Sequence, residues 1–482
     1  WDPDEQSGLV FKSENVFAQG RPRKPRASKA KVSHATQAAS PAVITSSSSG
    51  PVSDVTTALA VVDPIAASSP RSALGLSLEE HAFLHWTAQC VFRHDDLSEP
   101  GHEYNVHVLQ HWIEAKPGSS LHFALSALSL AFFGRSRHAP AAVKDAERAY
   151  CRALARTQRV VCGEEKETIN HLLLTAMLMG TFENMVNGHS TSASARPDAG
   201  RVEASKVFTH YDGALALLKL QRQETLASCT PIERVVRRQL VRANILRGST
   251  VPEWLADGES YGESGPTLEL DAMLVRVGRL RADFLATGAG VSNDKDYISI
   301  IVEADVLNVA LRQWHAGLPE DWKHETVFGG QYPFELIAKV HERRTHGHAA
   351  VILRYRATRI LVNSIIDRCL SCTASPQNNT DTARETIAEL AGTVCQDVPY
   401  FFNQVGSNGS RWLSIGKHII NSQDDITPKL AGLLAWPLSI VVSCDALPAK
   451  QREWLRERLR TVAAAYGDAR LQQVAEGGVF SF

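Results

Sequence analysis

From Leu74 to the C-terminal end, apolar residues recur with the period of a helix. Ser77 and Glu80 form a capping-box pattern ahead of Phe83, Leu84, Trp86 and Phe92. The pattern predicts further helices at about 103–114, 120–133, 140–160, 165–187, 204–221, 231–247, 268–286, 297–316, 333–369, 380–403, 431–443 and 450–475. In Tyr297 to Trp314, for example, Ile300, Ile301, Ala304, Leu307 and Leu311 share one face. Period-two alternation is scarce. Asn187-Gly188, Pro197 to Gly200 and Gly406 to Gly409 carry turn chemistry. No fixed repeat is present, so a regular solenoid is not indicated. The expectation is an all-α protein, a large helical domain of packed antiparallel helices over 74–482.

The N-terminal part reads differently. Segment 32–73 is rich in Ala, Ser, Thr, Val and Pro, with no Lys or Arg from Val32 to Pro70. It is predicted to be a disordered, low-complexity linker. Segment 1–31 is a polar arm ending in Arg21, Arg23, Lys24, Arg26, Lys29 and Lys31, and Pro22 and Pro25 exclude a regular helix there.

Composition narrows the picture. The 482 residues are 44% hydrophobic, enough for a large core. With 51 basic and 52 acidic residues the net charge is -1, so any attraction to nucleic acid must be local. The eight cysteines are dispersed, too sparse for a disulfide scaffold, and fit a reducing intracellular compartment. The longest apolar run, Leu172 to Gly180, is half of what a membrane span needs. No signal peptide pattern opens the chain. It begins at Trp1 instead of Met, as a fragment, a processed chain or an incomplete gene model would.

Signatures of metal or enzyme chemistry fail on spacing. His341-Glu342 and His346 resemble a zincin helix, but five residues of separation rotate the two histidines by roughly 140°. Cys369 and Cys372 form a lone C-x-x-C, read as core cysteines near a helix end. Gly416-Lys417-His418 lacks the phosphate-loop pattern, and Gly288-Ala289-Gly290 has Asn293 where a dinucleotide loop needs glycine. No catalytic residue and no metal site is assigned. The six cations of the arm suit DNA backbone contacts or a nuclear-import address, without base specificity. If all six met phosphates, log affinity would fall against log salt with a slope of about -5. Trp86, Trp112, Trp314, Trp322, Trp412, Trp436 and Trp454 are expected to anchor the core, with Trp436-Pro437-Leu438 opening a helix. On that reading Trp436→Ala costs about 3–5 kcal/mol.

Several segments resemble, in order, those of the fungal-specific transcription factors that carry an N-terminal six-cysteine binuclear zinc cluster. Trp1 to Lys12 looks like the stretch after the last zinc cysteine, and the basic arm follows as in the family. Phe208 to Leu218, with His210, Gly213 and Ala214, resembles a "W-x-x-H-x-x-G-A-x-x-L" helix in which Phe208 replaces tryptophan. Arg237 to Arg242 followed by Val251 to Leu255 resembles the next helix and its exit. Leu311 to Trp322, Arg354 to Leu361, Val394 to Phe402 and Leu434 to Leu438 resemble later elements, and Trp454 heads the closing helix. Gln396-Asp397 departs from the family's polar pair. No cysteine precedes Cys90, so the zinc ligands and base contacts carry over to no residue here. The resemblance implies a nuclear regulator of RNA polymerase II transcription that is not an enzyme. It implies DNA as a partner of a longer form carrying the cluster, zinc as a cofactor only in that form, co-regulators or the transcription machinery as further partners, and a homodimer. No membrane partner is implied. The rival readings are a helical scaffold without a DNA-binding module and an all-helical enzyme with a deep pocket.

Overall fold

Our computed structural model describes residues 76–91, 105–187, 208–224, 229–288, 294–322, 325–327, 340–342, 345–373, 378–402 and 426–477. The arm 1–31, the linker 32–73 and Trp412 lie outside them. All described residues belong to one unit, residues 67–482. Among the described residues that unit is all-α apart from one small antiparallel strand pair.

In chain order the helices are α1 (Leu78–Cys90), α2 (Asn105–Glu114), α3 (Ser120–Ser136), α4 (Pro140–Val161), α5 (Ile169–Asn187), α6 (Thr209–Glu224), α7 (Pro231–Arg247), α8 (Glu253–Ala256), α9 (Gly265–Gly288) and α10 (Asp294–Ala316). Strands β1 (Glu325–Val327) and β2 (Val340–Glu342) follow, then α11 (His346–Cys372), α12 (Asn378–Asp397), α13 (Pro428–Val442), α14 (Ala449–Tyr466) and α15 (Ala469–Ala475).

Local chemistry sets the helix ends. The Ser77 hydroxyl accepts from the Glu80 N–H at 3.1 Å, and the Glu80 carboxylate accepts from the Ser77 N–H at 2.7 Å, so the predicted capping box forms. Thr230 and Glu233 build the same device at α7, with Pro231 at the first helical position. Gly248 closes α7 at φ 73°, a conformation that costs glycine nothing.

Packing then organises the helices around two that are buried along most of their length. α3 packs against α1, α4 and α5, and α11 against α9, α10, α12 and α13. The two groups share one continuous apolar core, and α5, α7, α13 and α15 run between them. On the outside, Ile298, Val302, Val306 and Val309 expose one apolar stripe of α10.

Four expectations need correction. The helix expected over 333–369 begins only at His346, because Val340–Glu342 pairs with Glu325–Val327 and Thr345 caps the helix start. His341 therefore sits on a strand and His346 on a helix. The helix expected over 380–403 stops at Asp397 and passes into a 3-10 turn, Val398–Phe402, whose Pro399 has no N–H to donate. The segment 450–475 is two helices. Gly467 at φ 80° ends α14, and the Asp468 carboxylate accepts from the Arg470 and Leu471 N–H groups to start α15. Finally, Pro437 lies inside α13, which starts at Pro428. Leu434 and Leu438 are fully buried as expected, but Trp436 is only half-buried.

Candidate functional site

The motif segments do two kinds of work. Most of their polar residues brace the core. Arg237 is fully buried and donates from Nε to the Leu255 carbonyl at 2.9 Å and from Nη2 to Ala256 at 2.9 Å, capping the C-terminal end of α8. Its Nη1 meets Glu263 at 2.5 Å and Asp271 at 3.4 Å, while Arg238 Nε reaches Glu263 at 2.8 Å. Desolvation raises the Glu263 carboxyl above its ordinary value, although both arginines oppose that shift. Asp397, the departure from the family pair, forms a buried ion pair with Arg356. Arg359 donates to Asn308 Oδ1 at 3.0 Å. Trp314 Nε1 donates to the Pro266 carbonyl at 2.8 Å.

A second network lies between α4, α5 and α6. The Tyr150 hydroxyl hydrogen-bonds Glu183 and stands 3.0 Å from His210 Nε2, which is 3.2 Å from the Glu183 carboxylate. Desolvation works to raise the Glu183 carboxyl, but the His210 hydrogen bond and charge, with Tyr150 and Arg470, hold it below its ordinary value. Burial pushes the Tyr150 phenol up, and Glu183 adds to that. The motif histidine His210 is thus a half-buried member of this network.

The remaining motif residues surround a cavity of about 160 Å³. Phe208 at the start of α6, Arg242 on α7, Arg354 on α11 and Trp436 on α13 all line it. The C-terminal region closes it with Tyr466, Asp468 and Arg470, and Asn184 faces it from α5. Four cationic side chains, Arg242, Arg354, Lys429 and Arg470, stand against one carboxylate, Asp468. Arg242 and Arg354 are 6% and 5% exposed, so their charges are screened little by water. Desolvation lowers the Arg470 guanidinium below its ordinary value, with Asp468 opposing. Its guanidinium carbon lies 5.5 Å from the Phe208 ring centroid, and that of Arg247 lies 4.6 Å from the same ring.

The lining also holds two polar atoms out of solvent and without a hydrogen bond: Trp436 Nε1, a donor, and Asn184 Oδ1, an acceptor. Pro437 has no N–H, so it cannot serve the carbonyl of Leu433, another lining residue.

None of these residues was marked by an enzyme or metal motif. Asn184, Tyr466, Asp468 and Arg470 carry no motif at all; the only signal near them is Gly467-Asp468, a helix stop followed by a cap. The expected backbone-binding residues Arg21, Arg23, Lys24, Arg26, Lys29 and Lys31 lie outside the described residues.

One side-chain group among the described residues has metal-ligand types. His111, Glu114 and His171 place one donor atom each within 4.8 Å of one another. His111 Nδ1 is 3.6 Å from the Glu114 carboxylate. Tetrahedral zinc, with bonds of about 2.0–2.2 Å, would require the three to draw closer. Cys369 is buried with its thiol pushed up to about 12 by desolvation, and Cys372 is exposed.

The described residues form a helical domain with a cleft whose lining includes four cations and one carboxylate. No protein-family model, no curated protein and no solved structure matches this chain. No described helix is long and apolar enough to cross a membrane.

Proposed function

We propose that this chain is the regulatory region of a nuclear transcription regulator similar to the fungal zinc-cluster factors, and that its helical domain sets activity by binding a small ligand in the cavity. The observation that carries the reading is convergence. Phe208, Arg242, Arg354 and Trp436 come from four separate family-like segments and line one hollow. Segments whose only task was to fold a bundle would not need to meet around one cation-lined cleft. The domain acts through binding and performs no covalent chemistry. The cavity carboxylate Asp468 is already engaged as the cap of α15. The basic residues Arg21 to Lys31 supply sequence-independent phosphate contacts, and base readout belongs to a zinc cluster in a longer form.

The test is a reporter assay. The chain is fused to an unrelated DNA-binding module, and transcription from that module's promoter is measured in fungal cells. Transcript should rise or fall severalfold relative to the module alone, and Arg354→Gln should alter that response. Equal transcript from the fusion and the module alone rejects the regulator reading.

A further inference from the structure

We propose that His111, Glu114 and His171 form a zinc site that ties the end of α2 to the start of α5. None of the three lines the cleft, and the site does not depend on the regulatory reading.

The donors are delivered by local structure. His111 and Glu114 stand three residues apart in the last turn of α2, so the helix puts them on one face. A carboxylate and an imidazole at that spacing can share one ion, as the Glu-x-x-His pairs of di-iron helix bundles do. His171 sits in the first turn of α5, where the Thr168 hydroxyl accepts from its N–H at 3.3 Å. Trp112 stacks on Phe83 with ring centroids 4.2 Å apart and holds α2 against α1. No spacing motif could mark the site, because its third donor comes from another helix.

The distances then converge. One donor atom from each residue lies within 4.8 Å of the other two. The His111 and His171 rings meet edge to face, with centroids 5.5 Å apart. His111 Nδ1 is 3.6 Å from Glu114 Oε2, too far for a hydrogen bond. Ligand atoms of tetrahedral zinc, with bonds of about 2.0–2.2 Å, lie about 3.3 Å apart. Rotation of the exposed Glu114 carboxylate can close much of the remaining gap. His111 Nδ1 is also out of solvent and makes no hydrogen bond, which costs free energy unless something binds it. Glu114 Oε1 accepts from Gln110 Nε2 at 3.4 Å, which orients the carboxylate and leaves Oε2 for the ion. A plain His–Glu ion pair does not account for this arrangement. It would bring nitrogen and oxygen within hydrogen-bond distance, and it needs no second imidazole.

The donor set selects the ion. Two imidazoles and one carboxylate suit zinc, whereas magnesium and calcium take oxygen ligands. Three protein ligands leave the fourth tetrahedral position to water, on the side where Glu114 is exposed.

The experiment titrates the full chain, first dialysed against a chelator, with zinc chloride by calorimetry. One ion per chain should bind with a Kd of about 10 μM or tighter, and excess magnesium should not compete. Zinc should also raise the unfolding temperature, since it binds the folded state. His171→Ala should abolish both effects. Glu114→Gln, at an exposed position, should weaken binding on the order of tenfold or more. Cys372→Ser, also exposed, should change neither. Should His171→Ala fail to fold, Glu114→Gln decides alone. No saturation by about 100 μM zinc, displacement by magnesium, parent-like binding in either ligand variant, or loss of binding in Cys372→Ser overturns the inference.

Discussion

Helix α7 carries arginines into two buried settings of opposite character. Arg237 and Arg238 meet Glu263, Asp271 and two carbonyls, so their donors and charges are answered within the protein. One helical turn after Arg238, Arg242 is as buried as they are but faces a hollow where cations outnumber carboxylates. The same residue type, on the same element, braces the fold in one place and shapes a space in the other. Burial of a charge therefore does not mark a site by itself. What differs is the surroundings each side chain is packed into: a closed ion-pair cluster for Arg237 and Arg238, the lining of a cleft for Arg242.

Removing one partner from the answered cluster should give the largest effect. Arg237→Ala leaves Glu263 buried beside fewer cations and uncaps α8, so it should destabilise by about 3–5 kcal/mol. Urea unfolding with an unchanged m-value reads this directly. A loss below about 1 kcal/mol would erase the contrast between the two regions.

Acid should act on the wall behind the cavity. His346 stacks on Tyr400 with ring centroids 4.4 Å apart. Burial lowers it from 6.5 to about 4, and nearby Lys429 adds to the shift. A depressed histidine is neutral in the folded state while the unfolded chain takes up a proton. Stability should therefore be full above about 6.5 and decline as pH falls towards about 4. At about 1.4 kcal/mol per unit the total loss is about 3–4 kcal/mol. His346→Phe should flatten that part of the pH–stability curve, and an unchanged slope would place the acid sensitivity elsewhere.

A smaller effect is expected at Gly258, under the answered cluster. A Cβ there would lie 2.3 Å from Leu268 Cδ1 and 2.8 Å from Glu263 Oε2. Gly258→Ala should cost about 1–3 kcal/mol as the cluster is pushed apart. Thermal unfolding that matches the parent would show that the network is looser than its distances imply.

The smallest effect belongs to the cavity. Trp436→Phe removes a donor that makes no hydrogen bond and shortens a half-buried ring, so stability should move by less than about 1 kcal/mol. A large loss on the mild change would make Trp436 a core anchor after all.

Much of the helical plan was legible in the chain. The spacing of Ile300, Ile301, Ala304, Leu307 and Leu311 predicted one shared face; four of the five are buried and Ile301 is half-buried. Ser77 and Glu80 announced α1, because a capping box is a contact between residues three apart. The errors share a cause. Residues 340–342 pair with 325–327, a partner no helical period reveals. Asp397 read as a departure from a pattern, yet it answers Arg356 from another helix. Trp436-Pro437 read as a helix start because proline favours first turns, while Thr427-Pro428 already held that role.

The sequence by itself determined which segments are helices, where many begin and end, and that the near-neutral chain has an apolar core large enough to bury them. Those properties depend on neighbours within a turn or two. Only the tertiary structure decided which charges meet. Glu263 reaches Arg237 and Arg238 across a loop, and Arg242, Arg354 and Arg470 meet around one hollow from three distant helices. Charge compensation depends on distance in space, and the order of residues along the chain does not contain that distance until the helices have packed.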